Sequence, residues 1–344
     1  MFSNKTSRIK YIALLTIVLV ILVSGCTTFI IPAPTGSGGV VIEAFEPDLQ
    51  VSEIYSGEPI TFQLKFRNTG SVKAENVFAE LFGLDEDWCC ESVGLPGEGP
   101  WRNNEKLPNE EKCRYTSEGF PLLPPDPAAG TSGETFVCSW SYRAPDIPRN
   151  LPSVGYRPMA RLFYTYHTTL SNSITFGSHQ DIRGIQDVGG ALPMSTTDTT
   201  LSPMSINMET KSPIRFWTTG MEQGEVTFPI EINIENVGEG IACATDSKIH
   251  QSCKLPVGGE NAKNKIKLEV IPDAGLQIHD ECSEFTNTGG KIITLWKGQS
   301  NSIVCDVTAT GLENKGPVQK SIVVKATYEY AVDAETSIRV VGRE

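Results

Sequence analysis

Histidine is scarce in this chain, with four in 344 residues. No His-Glu-x-x-His helix is present, and no Gly-x-Ser-x-Gly elbow, phosphate-cradling glycine loop or EF-hand loop. Asp85-Glu86-Asp87-Trp88 is acidic but lacks the glycine and further oxygen ligands of a calcium loop. These absences leave a catalytic reading with no residue to start from, so the expectation is a non-enzyme with no cofactor and no metal. Basic charge is also in short supply: 29 Lys and Arg stand against 41 Asp and Glu, a net charge of −12. Setting aside Lys5, Arg8 and Lys10 near the N-terminus takes it to −15, which opposes nucleic acid as a partner. Past Asn4 there is no Asn-x-Ser/Thr sequon, and no stretch has the 3.6-residue apolar period of a surface helix.

What the chain does have begins at its N-terminus. Tyr11 to Val23 is an uninterrupted apolar run behind the three basic residues, and Val23-Ser-Gly-Cys26 follows it. That order is a signal peptide with a lipobox, in which Cys26 carries the lipid. A second reading is an uncleaved helix from Tyr11 to Ile31, long enough to cross a bilayer. Simple secretion is a third. All three put everything after about residue 30 outside the cytoplasm, and the expected location is an anchor at the outer face of the cytoplasmic membrane, on its extracellular or periplasmic side.

Residues 60–67, ITFQLKFR, alternate apolar and polar without exception, as do 228–235, FPIEINIE. Period two marks strands with one face on a core. Each ends in the same turn signal, Asn68-Thr-Gly70 and Asn236-Val-Gly238. The match persists along the chain: Phe136-Val-Cys138 with Ile303-Val-Cys305, and Tyr164-Thr-Tyr166 with Tyr328-Glu-Tyr330. A tandem duplication explains this. Strand-like segments separated by Gly, Pro and Asn recur in both copies, seven in each, which predicts two tandem antiparallel β-sandwiches. The expected layout is a signal or anchor at 1–26, a linker at 27–39, one sandwich at 40–178 and another at 203–344. Between the sandwiches, residues 179–202 are rich in Gly, Ser, Thr and Asp and read as a linker about which the domains hinge.

The segment 56–82, SGEPITFQLKFRNTGSVKAENVFAELF, resembles the adhesion-related Ig-like domains called CARDB: a strand, Asn-x-Gly, a short turn and a returning strand. Residues 228–240, FPIEINIENVGEG, are similar more briefly. The likeness covers about thirty residues per copy. It implies exported modules with binding or spacer roles, hence a non-enzymatic, surface-tethered binding, adhesion or envelope-assembly protein. The alternative is an accessory lipoprotein subunit or spacer of a larger membrane complex. Expected partners are the membrane, through the lipid or helix, and other envelope or surface proteins.

With Cys26 as the tether, eight cysteines remain, an even number suited to disulfides in an oxidising compartment. The repeat suggests Cys282–Cys305 and, by analogy, Cys113–Cys138, with Cys243–Cys253 closing a small loop and Cys89 left to its neighbour Cys90. A crossed scheme, with Cys89 and Cys90 reaching Cys113 and Cys138, avoids that strained vicinal pair but breaks the repeat. His250-Gln-Ser-Cys253 and His279-Asp-Glu-Cys282 have the chemistry of a zinc site, but the first copy has no matching histidines and export favours oxidised thiols. Loop 91–133 is long, rich in Gly and Pro, and holds Trp101, Tyr115 and Phe120. Either these aromatics anchor a partner or they fold back over the end of the sandwich.

Overall fold

The structure, a computed structural model, describes residues 38–48, 53–85, 87–94, 120–147, 152–218, 224–245, 253, 262–287, 289–312 and 316–343. The first copy supplies β1 (Val40–Pro47), β2 (Glu53–Tyr55), β3 (Pro59–Asn68), β4 (Ala74–Phe82), β5 (Cys89–Gly94), β6 (Phe120–Leu122), β7 (Thr135–Arg143), β8 (Ser153–Tyr156) and β9 (Met159–Ser178). Helix α1 (His179–Asp187) and β10 (Thr197–Thr199) come next. The second copy supplies β11 (Met204–Glu209), β12 (Ile214–Phe216), β13 (Val226–Asn236), β14 (Ile241–Cys243), β15 (Lys265–Pro272), β16 (Leu276–Ile278), β17 (Lys291–Thr294), β18 (Ser300–Ala309), β19 (Val318–Glu335) and β20 (Ile338–Val341).

The chain is all-β, as expected, and its pairing is antiparallel except where β2 meets β20 and β12 meets β9. The orders β1-β3-β7-β5 and β11-β13-β18-β16 form two four-stranded sheets. A nine-stranded sheet follows the path β17-β15-β19-β9-β4-β6, with β10, β12 and β14 attached beside it. The period-two strands bury the faces their patterns mark. Ile60, Phe62, Leu64 and Phe66 of β3 lie inside, as do Phe228, Ile230, Ile232 and Ile234 of β13. Each such side chain contributes about 1.5–3 kcal/mol through burial. Rings join the layers: Phe66 stacks on Phe120 at 6.3 Å, and Phe228 meets Phe176 edge-on at 5.5 Å.

The Asn-x-Gly turn has a structural cause that is the same in both copies. Asn68 is fully buried, and its Nδ2 donates to the carbonyls of Val72 and Leu122 at 2.9 and 3.0 Å. Its Oδ1 accepts from Gly70 N at 3.0 Å, and Val72 N donates to the Tyr166 hydroxyl at 3.3 Å. In the second copy Asn236 donates to Gly240 and Gly298 and accepts from Gly238 N, while Gly240 N donates to the Tyr330 hydroxyl at 2.9 Å. A tyrosine one strand-pair away therefore locks each turn. Glycine is needed because the hydroxyl lies where a Cβ would stand at position 70 or 238.

The copies do not sit side by side on a flexible tether. β9 and β19 pair over their whole common length, Met159 with Glu335 through Phe176 with Val318. Thr165 faces Glu329, its own counterpart in the repeat, so a pseudo-two-fold axis passes between these two residues. Beyond the axis each copy's last strand crosses to the other. The far half of β9 pairs with β12, and Asn172 and Thr168 donate to the carbonyls of Met208 and Met204. In return β20 lies between β2 and β8 of the first copy, with Arg339 bonded to Glu53 at 3.0 Å.

The linker expected at 179–202 differs accordingly. Ser178 caps α1, and β10 pairs with Leu170–Asn172 of β9. Composition showed the polarity of this segment but could not show that a long neighbouring strand would offer it a pairing edge. Residues 37–344 form one compact unit.

Candidate functional site

The seam between the copies carries a disulfide and, beside it, a groove. On the outer face of the shared sheet, Glu75 opposes Thr165 in the first copy as Cys243 opposes Glu329 in the second. Phe78 then opposes Phe163 as Lys267 opposes Thr327. Where β4 has only a bulge, the second copy therefore inserts residues 244–264. The Cys243–Cys253 disulfide packs with Phe78 and Phe163, whose rings stack at 4.6 Å. Glu329, almost wholly buried at the axis, accepts from Cys253 N at 2.9 Å.

Beside the insertion lies a shallow groove of 240 Å³ lined by Thr245, Lys267, Glu269, Gly289, Lys325 and Thr327. Lys267 faces Thr327 and Glu269 faces Lys325 across β15 and β19, a checkerboard that suits a small polar group. His167 continues the row beyond Thr327. Burial, and then Lys325, push its pKa below the usual imidazole range, with Glu75 opposing. A histidine with a lowered folded pKa takes up its proton more readily when unfolded. Stability is therefore intact above the unfolded value, about 6.5, and falls as pH drops through that value toward the folded one. We expect urea midpoints to decline from pH 7.5 to 5 and the decline to flatten in His167→Gln.

On the opposite sheet of the second copy, His279 Nε2 lies 2.8 Å from Thr308 Oγ1, which lies 2.7 Å from Thr227 Oγ1. Thr308 is buried, so this hydroxyl chain joins strands rather than facing a substrate. His179 stacks on the exposed ring of Trp217 at 4.1 Å.

Two expected disulfides are formed, Cys243–Cys253 and Cys282–Cys305. Both HxxC cysteines, Cys253 and Cys282, are thereby oxidised, which removes the thiolates a zinc site needs. Replacing Cys282 and Cys305 with alanine opens a loop of separation 23 and should cost about 3 kcal/mol, read as a lower urea midpoint. The analogous Cys113–Cys138 bond is not made: Cys138 is a buried free thiol, pushed up to about 12 by burial. Register gives the reason. Phe62 pairs with Trp140 as Ile230 pairs with Cys305, so Trp140, not Cys138, occupies the place of Cys305. The shared Val-Cys motif is offset by two residues from the structural equivalence.

Cys89 and Cys90 begin β5, with side chains outside the described residues. Cys26, Cys113, Trp101 and Tyr115 also lie outside them. Phe120 is half-buried, and its ring lies 4.2 Å from that of Phe136. No helix among the described residues is long and apolar enough to cross a membrane.

No family model matches the chain, and no curated protein does. Among solved structures, it is similar to the secreted serine protease VesC from Vibrio cholerae at 8% identity and TM-score 0.19, covering 87% of this chain and 51% of that one. The chain thus spans about half the length of VesC. Spo0M, a sporulation control protein from Bacillus subtilis, aligns at 10% identity and TM-score 0.18, covering 78% and 91% of the two chains. Escherichia coli alpha-2-macroglobulin activated by porcine elastase aligns at 10% and 0.18, covering 88% and 33%. Scores this low transfer neither fold nor activity to this chain.

Proposed function

We propose that this protein is an exported, membrane-tethered binding or envelope-assembly protein, built from two Ig-like, CARDB-like repeats and without catalytic activity. The observation that carries the reading is the pair of disulfides, Cys243–Cys253 and Cys282–Cys305, which belong to an oxidising compartment. The basic and apolar N-terminus ending in Val-Ser-Gly-Cys26 supplies the route there and the tether. The groove lined by Lys267, Glu269, Lys325 and Thr327, beside the Cys243–Cys253 disulfide, is the contact surface this reading favours.

Cross-linking on intact source cells, followed by mass spectrometry, tests it. Links to envelope or surface proteins, or to copies of itself, support binding or assembly. Links confined to one membrane complex would make the chain an accessory subunit of that complex. Recovery with cytoplasmic proteins would overturn the reading.

A further inference from the structure

The segment Ser195-Thr-Thr-Asp-Thr-Thr-Leu-Ser202 sits between Pro193 and Pro203, and six of its eight residues carry hydroxyls. Composition of this kind, Ser and Thr with flanking proline, is that of O-glycosylated segments. The structure separates the six. Ser195 Oγ donates to Ser212 Oγ, and Thr196 Oγ1 is 2.9 Å from Ser173 Oγ. Thr200 Oγ1 accepts from Thr169 N at 2.9 Å, and Ser202 Oγ donates to Met204 O. Thr197 and Thr199 are exposed, and their hydroxyls have no hydrogen-bond partner among the described residues.

Both residues lie on β10, which pairs with β9 along one edge only. Open edges of this kind invite pairing with other chains, and natural proteins blunt them. β10 is blunted only by its three-residue length and the single charge of Asp198, with neither lysine nor proline. Past Asn4 the chain also lacks the Asn-x-Ser/Thr sequon, so an N-linked glycan cannot take on the task.

We infer that Thr197 and Thr199 are acceptors for short O-linked glycans that shield the β10 edge. The inference rests on the export proposed above. The donor is a sugar joined at its anomeric carbon to a phosphate carrier, used by a separate transferase. The threonine oxygen attacks that carbon. A carbon–oxygen bond to the protein forms, the bond to the carrier phosphate breaks with its electron pair leaving on the carrier, and the hydroxyl proton passes to a base of the transferase.

The test is mass mapping of full-length protein isolated from the membranes of its source cells. Trypsin releases the segment within Gly184–Lys211. The expected result is that this peptide is heavier by whole monosaccharides, placed by fragmentation on Thr197 or Thr199. The increment should vanish in Thr197→Val/Thr199→Val, a pair of changes that keeps strand propensity. An unmodified peptide would overturn the inference, as would sugars on Ser195, Thr196 or Thr200 alone. Digestion of spheroplasts, in which the cytoplasmic membrane alone is left intact, by an external protease then tells the two proposals apart. An unmodified chain that the protease reaches sinks only the glycan, whereas one it cannot reach sinks export as well.

Discussion

Cutting the chain at the exposed stretch between Val188 and Met194 is expected to leave two fragments that stay bound to each other and folded. Neither fragment is expected to fold as a monomer when made alone. The expectation follows from the crossed strands. Removing the second copy strips β9 of β19 along eighteen residue pairs and takes β20 away from β2 and β8. It also leaves Leu170, Ile174 and Phe176, all buried in the whole molecule, facing water. Three such side chains forfeit about 1.5–3 kcal/mol each. That loss alone matches much of a typical domain's net stability of about 5–15 kcal/mol. The second copy alone loses Phe176 from beside Phe228 and the strand partner of its longest strand. Co-expressed fragments, one of them tagged, should co-purify and show a single cooperative transition by circular dichroism. A stable monomeric half would refute the crossed arrangement and restore two independent domains.

How the sequence foretold this fold, and where it stopped, can be traced to particular residues. Alternation in 60–67 and 228–235 predicts strands because a half-buried sheet imposes period two on side chains. Those strands are found with the expected faces inward. The repeat was legible for the same reason: core positions of two similar sheets make the same demands. What stayed hidden was register and partner choice. An eighteen-pair seam leaves no local mark, since Tyr164 and Tyr330 are equally suitable whether they face each other or face strangers. Cys138 shows the same limit. A Val-Cys match in sequence suggested an equivalence that pairing shifts by one strand period, leaving Trp140 at the disulfide position. At the seam, the insertion at 244–264 was visible only as a cysteine pair ten residues apart. Lys267, Lys325 and His167 come from three different strands and share no spacing signal.

The second large effect concerns the locked turns. Gly70→Ala should lower stability by about 3 kcal/mol, at the upper end of what overpacking usually costs. The added carbon would overlap the Tyr166 hydroxyl and lie 2.6 Å from Gly39 N and 2.8 Å from the Leu201 carbonyl. Two of those neighbours are backbone, so rotating a side chain cannot relieve the crowding. Moreover, the Leu201 carbonyl accepts from Ser71 N at 3.0 Å, so displacing it loosens the contact between the connector and the first copy. Gly238→Ala overlaps the Tyr330 hydroxyl but meets only side-chain atoms otherwise, so a shift of Tyr330 can relieve it and the cost should be smaller. Tyr166→Phe separates crowding from bonding. It removes only the acceptor for Val72 N, a loss of about 1–2 kcal/mol, and makes room for the extra methyl. Gly70→Ala combined with Tyr166→Phe should therefore be more stable than the sum of the two single effects implies, a coupling of about 1 kcal/mol or more. Strict additivity in urea melts would mean that the glycine is required by its backbone neighbours alone and that the tyrosine is not the lock.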